Sequence, residues 1–125
     1  MNAPEMALGN LALRFGLELA ALVGLAMGAW ASSSGWVRWA AVIVVPVTVA
    51  AIWGVFNVVG DPSRSGDAPI EVPGWLRLGI ELVVLGGGAG GFYLSERPNF
   101  AIGVGALVIV HYGVSVRRVH WLLDR

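Results

Sequence analysis

Two short segments of this 125-residue chain place an arginine and a glutamate four residues apart among apolar residues. Arg14 and Glu18 form the first pair, and Arg77 and Glu81 form the second. Residues at this spacing lie within about 40° of each other around a helix, so each pair shares one face. A charge inside a bilayer costs roughly 2.5–3.5 kcal/mol even on the most lenient scale. Both pairs must therefore meet protein or water, and they are the first candidates for chemistry.

A third group of polar residues lies near the C-terminus. His111, Ser115 and Arg118 also fall within about 40° of one another on a helix, and Tyr112 is adjacent. Counted at about 1.5 Å per residue from the predicted helix ends, His111 lies at a depth in the membrane close to that of the two glutamates. We predict that one buried polar cluster collects these groups, namely Arg14, Glu18, Arg77, Glu81, His111, Tyr112, Ser115 and Arg118.

Two hypotheses account for such a cluster. The first is a satisfied ion-pair network that fixes how the helices pack, and the second is a proton or ion relay, or a site for an anionic headgroup. Within one helix, arginine before glutamate is the weaker orientation for an ion pair. We therefore predict pairs between segments, Arg14 with Glu81 and Arg77 with Glu18.

The segments that carry these residues are long and apolar. Hydrophobic residues make up 57% of the chain and charged residues 13%, whereas soluble domains are about a quarter charged. A spanning helix needs about 20 mostly apolar residues, and four stretches meet that length: Ala12–Ala31, Trp36–Val58, Trp75–Leu94 and Asn99–Val119. We predict an all-α, integral membrane four-helix bundle formed by residues 1–125 as a single transmembrane domain, with a polar surface loop at 59–74.

The two halves of the chain resemble each other. The segment Leu13–Leu19 reads LRFGLEL, and Leu76–Leu82 reads LRLGIEL, an offset of 63 residues (76 minus 13). This match predicts a duplicated helical hairpin, residues 12–58 and 75–119, whose copies are related by a twofold axis along the membrane normal.

Glycines recur at four-residue spacing on the helix faces predicted to lie opposite the charges. Small residues at this spacing let helix backbones approach closely in lipid. We predict that they pack helices together within the chain, with a dimer interface as the alternative. The residues are Gly16, Gly24, Gly28, Gly79, Gly87 and Gly91.

The distribution of arginine predicts the orientation. The chain has no net charge, and its eight basic residues are all arginine, so no basic patch suggests nucleic acid as a partner. With four spans, both termini and the long loop share one side. Six arginines lie on or near that side and two lie on the other, so the positive-inside rule places both termini in the cytoplasm. The six are Arg14, Arg64, Arg77, Arg117, Arg118 and Arg125, and the two are Arg38 and Arg97.

The sequence does not contain a recognisable catalytic arrangement. It lacks cysteine, its two histidines are nine residues apart, and no nucleophile lies beside a base. We therefore predict no enzyme activity, metal or cofactor. The leading hypothesis is a non-catalytic membrane protein, an assembly or accessory factor that contacts lipid and either a second copy or a partner membrane protein. The alternative is a small ion- or proton-coupled transporter or channel that uses Glu18 and Glu81.

Several of these segments together resemble a known family. They are Leu13-Arg14-Phe15 with Glu18-Leu19, the mid-helix Pro46, Trp53-Gly54-Val55-Phe56, and Leu76-Arg77-Leu78 with Glu81-Leu82. On these residues the chain resembles the YrdB-like family of small bacterial membrane proteins. The resemblance implies four helices in the bacterial inner membrane and names no substrate.

Overall fold

The computed structural model describes residues 2–125, and its fold is all-α, as the sequence predicts. Two short strands, β1 (Phe56–Asn57) and β2 (Ile70–Glu71), pair in parallel and close the long loop between the second and third helices. The five helices are α1 (Leu8–Ala31), α2 (Gly35–Val55), α3 (Gly74–Leu94), α4 (Pro98–Val114) and α5 (Val116–Leu123).

The helices differ in whether their length and hydropathy would allow them to cross a membrane. Within residues 2–125, α1 and α2 are each long and apolar enough to span a bilayer. A third candidate arises if α4 and α5, which meet at a bend of 72°, are counted as one broken span. Helix α3 is not among these candidates, since seven of its 21 residues are glycine and it carries Arg77 and Glu81. Within residues 2–125, two helices could therefore span a membrane, or three if the bent pair is one span, and the arrangement of four spans stays a prediction.

Two predicted spans end differently in the structure. The second span was expected to reach Val58, but α2 ends at Val55 because Phe56 and Asn57 enter strand β1. The fourth was expected to continue to Val119, but α4 ends before Ser115. After the bend, Trp121 and Leu122 of α5 are buried with Val58 and pack against Leu78 of α3. Because of the bend, α5 does not continue the line of α4 and packs instead against the loop and α3.

Helices α1 and α3 make the most extensive contact in the described part of the chain. The buried residues of α1 alternate by three and four positions, as in interdigitating helices, and they are Arg14, Leu17, Ala21, Gly24 and Gly28. The charged residue and the glycines thus share one face. The prediction that the glycines lie opposite the charges was wrong, because a row of residues four apart drifts around a helix of 3.6 residues per turn.

Glycine permits the close approach of α1 and α3. A Cβ atom at Gly24 would overlap the backbone oxygen of Gly88, and one at Gly91 would overlap the backbone oxygen of Gly24. A Cβ atom at Gly28 would lie 2.7 Å from the Cα atom of Gly91. Gly88 was absent from the predicted set. These four glycines allow two helix backbones to touch where any larger residue would hold them apart.

The other predicted packing glycines have different surroundings. A Cβ atom at Gly87 would meet a side-chain atom of Leu25 at 3.3 Å, which a small shift of that leucine can relieve. At Gly16 and Gly79, no atom of the described chain outside their own turns lies within 4 Å of that position. The prediction that Gly16 and Gly79 pack against another helix of this chain was therefore wrong, since both lie off the buried faces of α1 and α3.

Candidate functional site

Glu81 is the centre of a buried charge cluster. Its side chain is 0% exposed, and five N–H or O–H donors reach its two oxygens. Oε1 accepts from Nη2 of Arg14 at 2.6 Å, Nη2 of Arg118 at 2.6 Å and Nε of Arg77 at 3.1 Å. Oε2 accepts from Nη1 of Arg118 at 3.0 Å and the hydroxyl of Tyr112 at 2.8 Å. A carboxylate has about four lone-pair positions, so this one is saturated.

Each arginine connects Glu81 to a different part of the fold. Arg14 connects Glu81 to α1, and its Nε atom lies 3.4 Å from Oε1 of Glu18 on the same helix. Arg77 donates from Nη1 to the carbonyl oxygens of Trp53 at 2.7 Å and Phe56 at 2.8 Å. These carbonyls lie at the end of α2, where the last residues of a helix lack intrahelical donors.

Arg118 extends the cluster into the loop. It donates from Nε and Nη2 to the two oxygens of Asp61, at 2.8 and 2.6 Å, while its other contacts hold Glu81. Two parallel hydrogen bonds between guanidinium and carboxylate are among the strongest pairings in proteins. The bend after α4 therefore places one arginine between an acidic residue of the loop and one of α3.

The indole of Trp53 lies beside two of these arginines. The guanidinium carbon of Arg77 is 4.6 Å from the ring centroid, and that of Arg14 is 5.0 Å away. Cations at this distance from an indole are attracted by its electron-rich face. Trp53 thus helps hold two like charges in the interior of the bundle.

His111 joins the cluster from α4 and is 0% exposed. Its Nε2 atom is 3.4 Å from Nη1 of Arg14, and its Nδ1 atom is 2.8 Å from Oδ1 of Asn10. Because a guanidinium only donates, Nε2 is the acceptor and Nδ1 carries the ring proton. The Nδ2 group of Asn10 in turn donates to the hydroxyl of Ser115 at 2.8 Å. A neutral histidine therefore links α1 to α4.

The structure brings the predicted polar residues together, but without the predicted symmetry. The Arg14–Glu81 pair is present, whereas Arg77 bonds Glu81 of its own helix and not Glu18. The side chain of Glu18 is 24% exposed and lies at the edge of the cluster. The reason is that the buried face of α3 includes Glu81, while the buried face of α1 passes through Leu17 and leaves Glu18 beside it. Equivalent positions in the two halves thus have different surroundings.

Sequence reasoning missed Asp61 and Asn10. Asp61 was assigned to a surface loop, yet it is 1% exposed. Its Oδ1 atom accepts from the backbone N–H and the hydroxyl of Ser63, at 2.9 and 2.8 Å. A charge count could have found it, since Arg14, Arg77 and Arg118 outnumber the two predicted glutamates. The excess of one arginine over the two glutamates indicates one further acidic partner.

The electrostatics of Asp61 match this buried pairing. Burial by itself raises the pKa of the Asp61 carboxyl, because a charge is less stable away from water. The hydrogen bonds and the positive charge of Arg118 oppose that effect, and Ser63 adds two more hydrogen bonds. The net result is a pKa below the usual range of an aspartate, so Asp61 is ionised at neutral pH.

The chain is thus a small helical protein with two or three helices that could span a membrane and a buried arginine–carboxylate cluster. The family model described as "Protein of unknown function (DUF2568)" matches residues 12–109, and the chain belongs to this family. It is 41% identical over 116 residues to "Uncharacterized protein YrdB" of Bacillus subtilis (strain 168), which covers 93% of this chain and 94% of that protein. The resemblance to a YrdB-like family is thereby confirmed. No solved structure gives a significant match.

Proposed function

We propose that this protein is a non-catalytic integral membrane protein in which the Glu81 cluster fixes one arrangement of helices and loop. It presents that arrangement to a second copy or to a partner membrane protein, as an assembly or accessory factor. The observation that carries the proposal is the saturation of Glu81 by five donors, with no exposed surface on its side chain.

A saturated carboxylate is suited to structure and poorly suited to transport. A relay group has to exchange its proton or ion with water in every cycle. At Glu81, exchange would first require three guanidinium groups to move away from a buried charge, and breaking such a pair typically costs 3–5 kcal/mol. Together the arginines connect α1, the end of α2, the loop and α5 to α3. The same contacts that hinder exchange therefore hold five segments in register.

We further propose that four helices cross the membrane of a bacterial cell as a duplicated pair of hairpins, with cytoplasmic termini. Helix α3 has 21 residues and is about 31 Å long, enough for a hydrocarbon core of about 30 Å. Gly88 and Gly91 pack against the backbone of α1, so these two glycines lower the hydropathy of α3 without facing lipid. The repeated LRxGxEL segments, the arginine distribution and the bacterial relative support this arrangement.

One observation favours the alternative function, a small ion- or proton-coupled transporter or channel. Glu18 is partly exposed and lines two cavities beside α1, so it can reach a mobile ion. A transport function would therefore use Glu18 and not Glu81.

Flux measurements on the purified protein in liposomes separate these functions. We expect no proton or cation flux above that of empty liposomes, for the wild-type chain and for Glu18→Gln alike. Gramicidin added to the same liposomes verifies that flux is detectable. A wild-type flux that Glu18→Gln abolishes, while the variant remains folded, would support the transporter and refute the structural proposal.

The topology is tested with single cysteines, since the chain has none of its own. Ser65 lies in the loop and Ser32 in the turn between α1 and α2, and both are exposed. We expect an impermeant maleimide to label Ser32→Cys in intact cells, and Ser65→Cys only after permeabilisation, because the arginine-rich side stays in the cytoplasm. Labelling of Ser65→Cys in intact cells contradicts the proposed orientation.

A further inference from the structure

Two neighbouring cavities run along α1 beside the charge cluster. A polar one of about 330 Å³ is lined by residues that include Arg14, Ser63 and Arg64. An apolar one of about 230 Å³ is lined by residues that include Leu22 and Ala50. The cavities share Phe15, Glu18 and Arg64, so they adjoin. We call them together the α1–α2 groove, which has a charged end at the loop and an apolar end between the two helices.

Arg64 supplies an uncompensated positive charge at the polar end. It is half-buried, and its guanidinium makes no hydrogen bond or ion pair with any residue in the described range 2–125. Arg14, Arg77, Arg118 and Arg64 contribute four positive charges here. The carboxylates are three, Glu18, Asp61 and Glu81, so the cluster with its groove carries a net charge of +1.

Trp53 leaves a hydrogen-bond donor unused at the apolar end. Its side chain lines the groove and the residue is 7% exposed, but its indole N–H has no acceptor among the described residues. A buried donor without a partner lowers the stability of the folded chain. The unpaired N–H indicates that this wall of the groove lacks a polar partner among the described residues.

We propose that the α1–α2 groove binds one monoanionic phospholipid, with its phosphodiester on Arg64 and an acyl chain along Leu22 and Ala50. A single negative charge balances the excess of +1 after Glu18 has been counted, whereas a zwitterionic headgroup leaves that excess in place. Guanidinium and phosphate pair through two parallel hydrogen bonds. The apolar end contributes by burying the chain. This inference rests on the proposed function only in requiring that α1 and α2 lie in a membrane.

Native mass spectrometry of the full chain in detergent tests the headgroup. We expect one phosphatidylglycerol per chain, bound at least about tenfold more tightly than phosphatidylcholine of the same acyl chains, because both lipids offer a phosphodiester but the choline cation adds a positive charge beside the excess of +1. Arg64→Ala should remove this preference. Arg117→Ala is the matched control, because Arg117 is exposed and lies on the same proposed side of the membrane. It should keep the preference within about twofold.

The acyl-chain end is tested with a second matched pair. Ala50 lines the groove and Ala51 does not, although both are exposed on α2. We expect Ala50→Trp to fill the groove and lower phosphatidylglycerol binding, while Ala51→Trp leaves it unchanged. Both variants should retain the wild-type melting temperature in the absence of lipid.

The outcomes separate this inference from the proposed function. Equal binding of the two lipids, or equal losses in Arg64→Ala and Arg117→Ala, refutes a specific headgroup site. Stabilisation by glycerol 3-phosphate equal to that by phosphatidylglycerol identifies a site for a soluble anion and refutes the lipid. A folded, membrane-inserted chain that retains no phosphatidylglycerol refutes the groove site alone. Recovery of the chain outside the membrane fraction refutes the proposed function as well.

Discussion

Replacing Glu81 with glutamine is expected to lower the free energy of unfolding in detergent by about 3–5 kcal/mol. The substitution keeps the shape of the side chain but removes the charge on which three guanidinium groups converge. Those cations remain buried, and burial of an unpaired charge is the costly part of breaking such a cluster. Reversible unfolding in mixed micelles, followed by tryptophan fluorescence, measures the loss.

Glu18→Gln is the matched control for that measurement. Glu18 occupies the equivalent position in the first half of the chain, but it is 24% exposed and has one arginine contact, at 3.4 Å. Partly exposed pairs contribute little, so a loss below about 1 kcal/mol is expected. If Glu18→Gln and Glu81→Gln lower the free energy of unfolding equally, both carboxylates have the same role. The different surroundings of Glu18 and Glu81 would then have no energetic consequence.

Gly91→Ala should also destabilise the protein, by about 1–3 kcal/mol. The new methyl group would overlap the backbone oxygen of Gly24, and neither backbone can yield without separating α1 from α3. Thermal unfolding in detergent measures the effect.

Gly90→Ala provides the control at the neighbouring position. Gly90 is exposed, and no atom of the described chain outside its own helical turns lies within 4 Å of its added Cβ atom. Alanine favours a helix over glycine by up to about 1 kcal/mol, so this variant should be unchanged or more stable. A loss at Gly90 as large as that at Gly91 would show that the cost comes from the helix itself and not from its contact with α1.

The apolar pattern predicted the helical segments well and their ends less well. Runs of apolar residues indicate where a helix lies, whereas its end depends on tertiary partners. Helix α2 stops at Val55 because the next two residues pair with β2, a contact made with a segment 14 residues further on (70 minus 56). The break at Ser115 depends likewise on the partners that α5 finds in the loop and α3. No local signal encodes either partner.

The site was predictable in its residue types and not in its geometry. Charged residues within apolar segments must find partners, which identified Arg14, Arg77 and Glu81 from sequence alone. The repeat suggested that Glu18 and Glu81 are equivalent, but α1 and α3 expose different faces to each other. Asp61 escaped notice since a polar loop is ordinarily solvated. Its burial follows from the need of Arg118 for a second carboxylate.

The central claim, that the cluster is a coupled structural network, is tested most directly by a second substitution in the Glu81→Gln background. Arg14→Gln should restore about half or more of the lost stability, because it removes the cation that depends most on Glu81. Arg77→Gln should not restore the stability, since it removes the guanidinium that donates to the carbonyls of Trp53 and Phe56. Arg118→Gln should not restore it either, because it leaves Asp61 buried without its ion-pair partner. If Arg14→Gln lowers the stability further, by as much as it does in the wild-type chain, the charges act independently and the claim is contradicted.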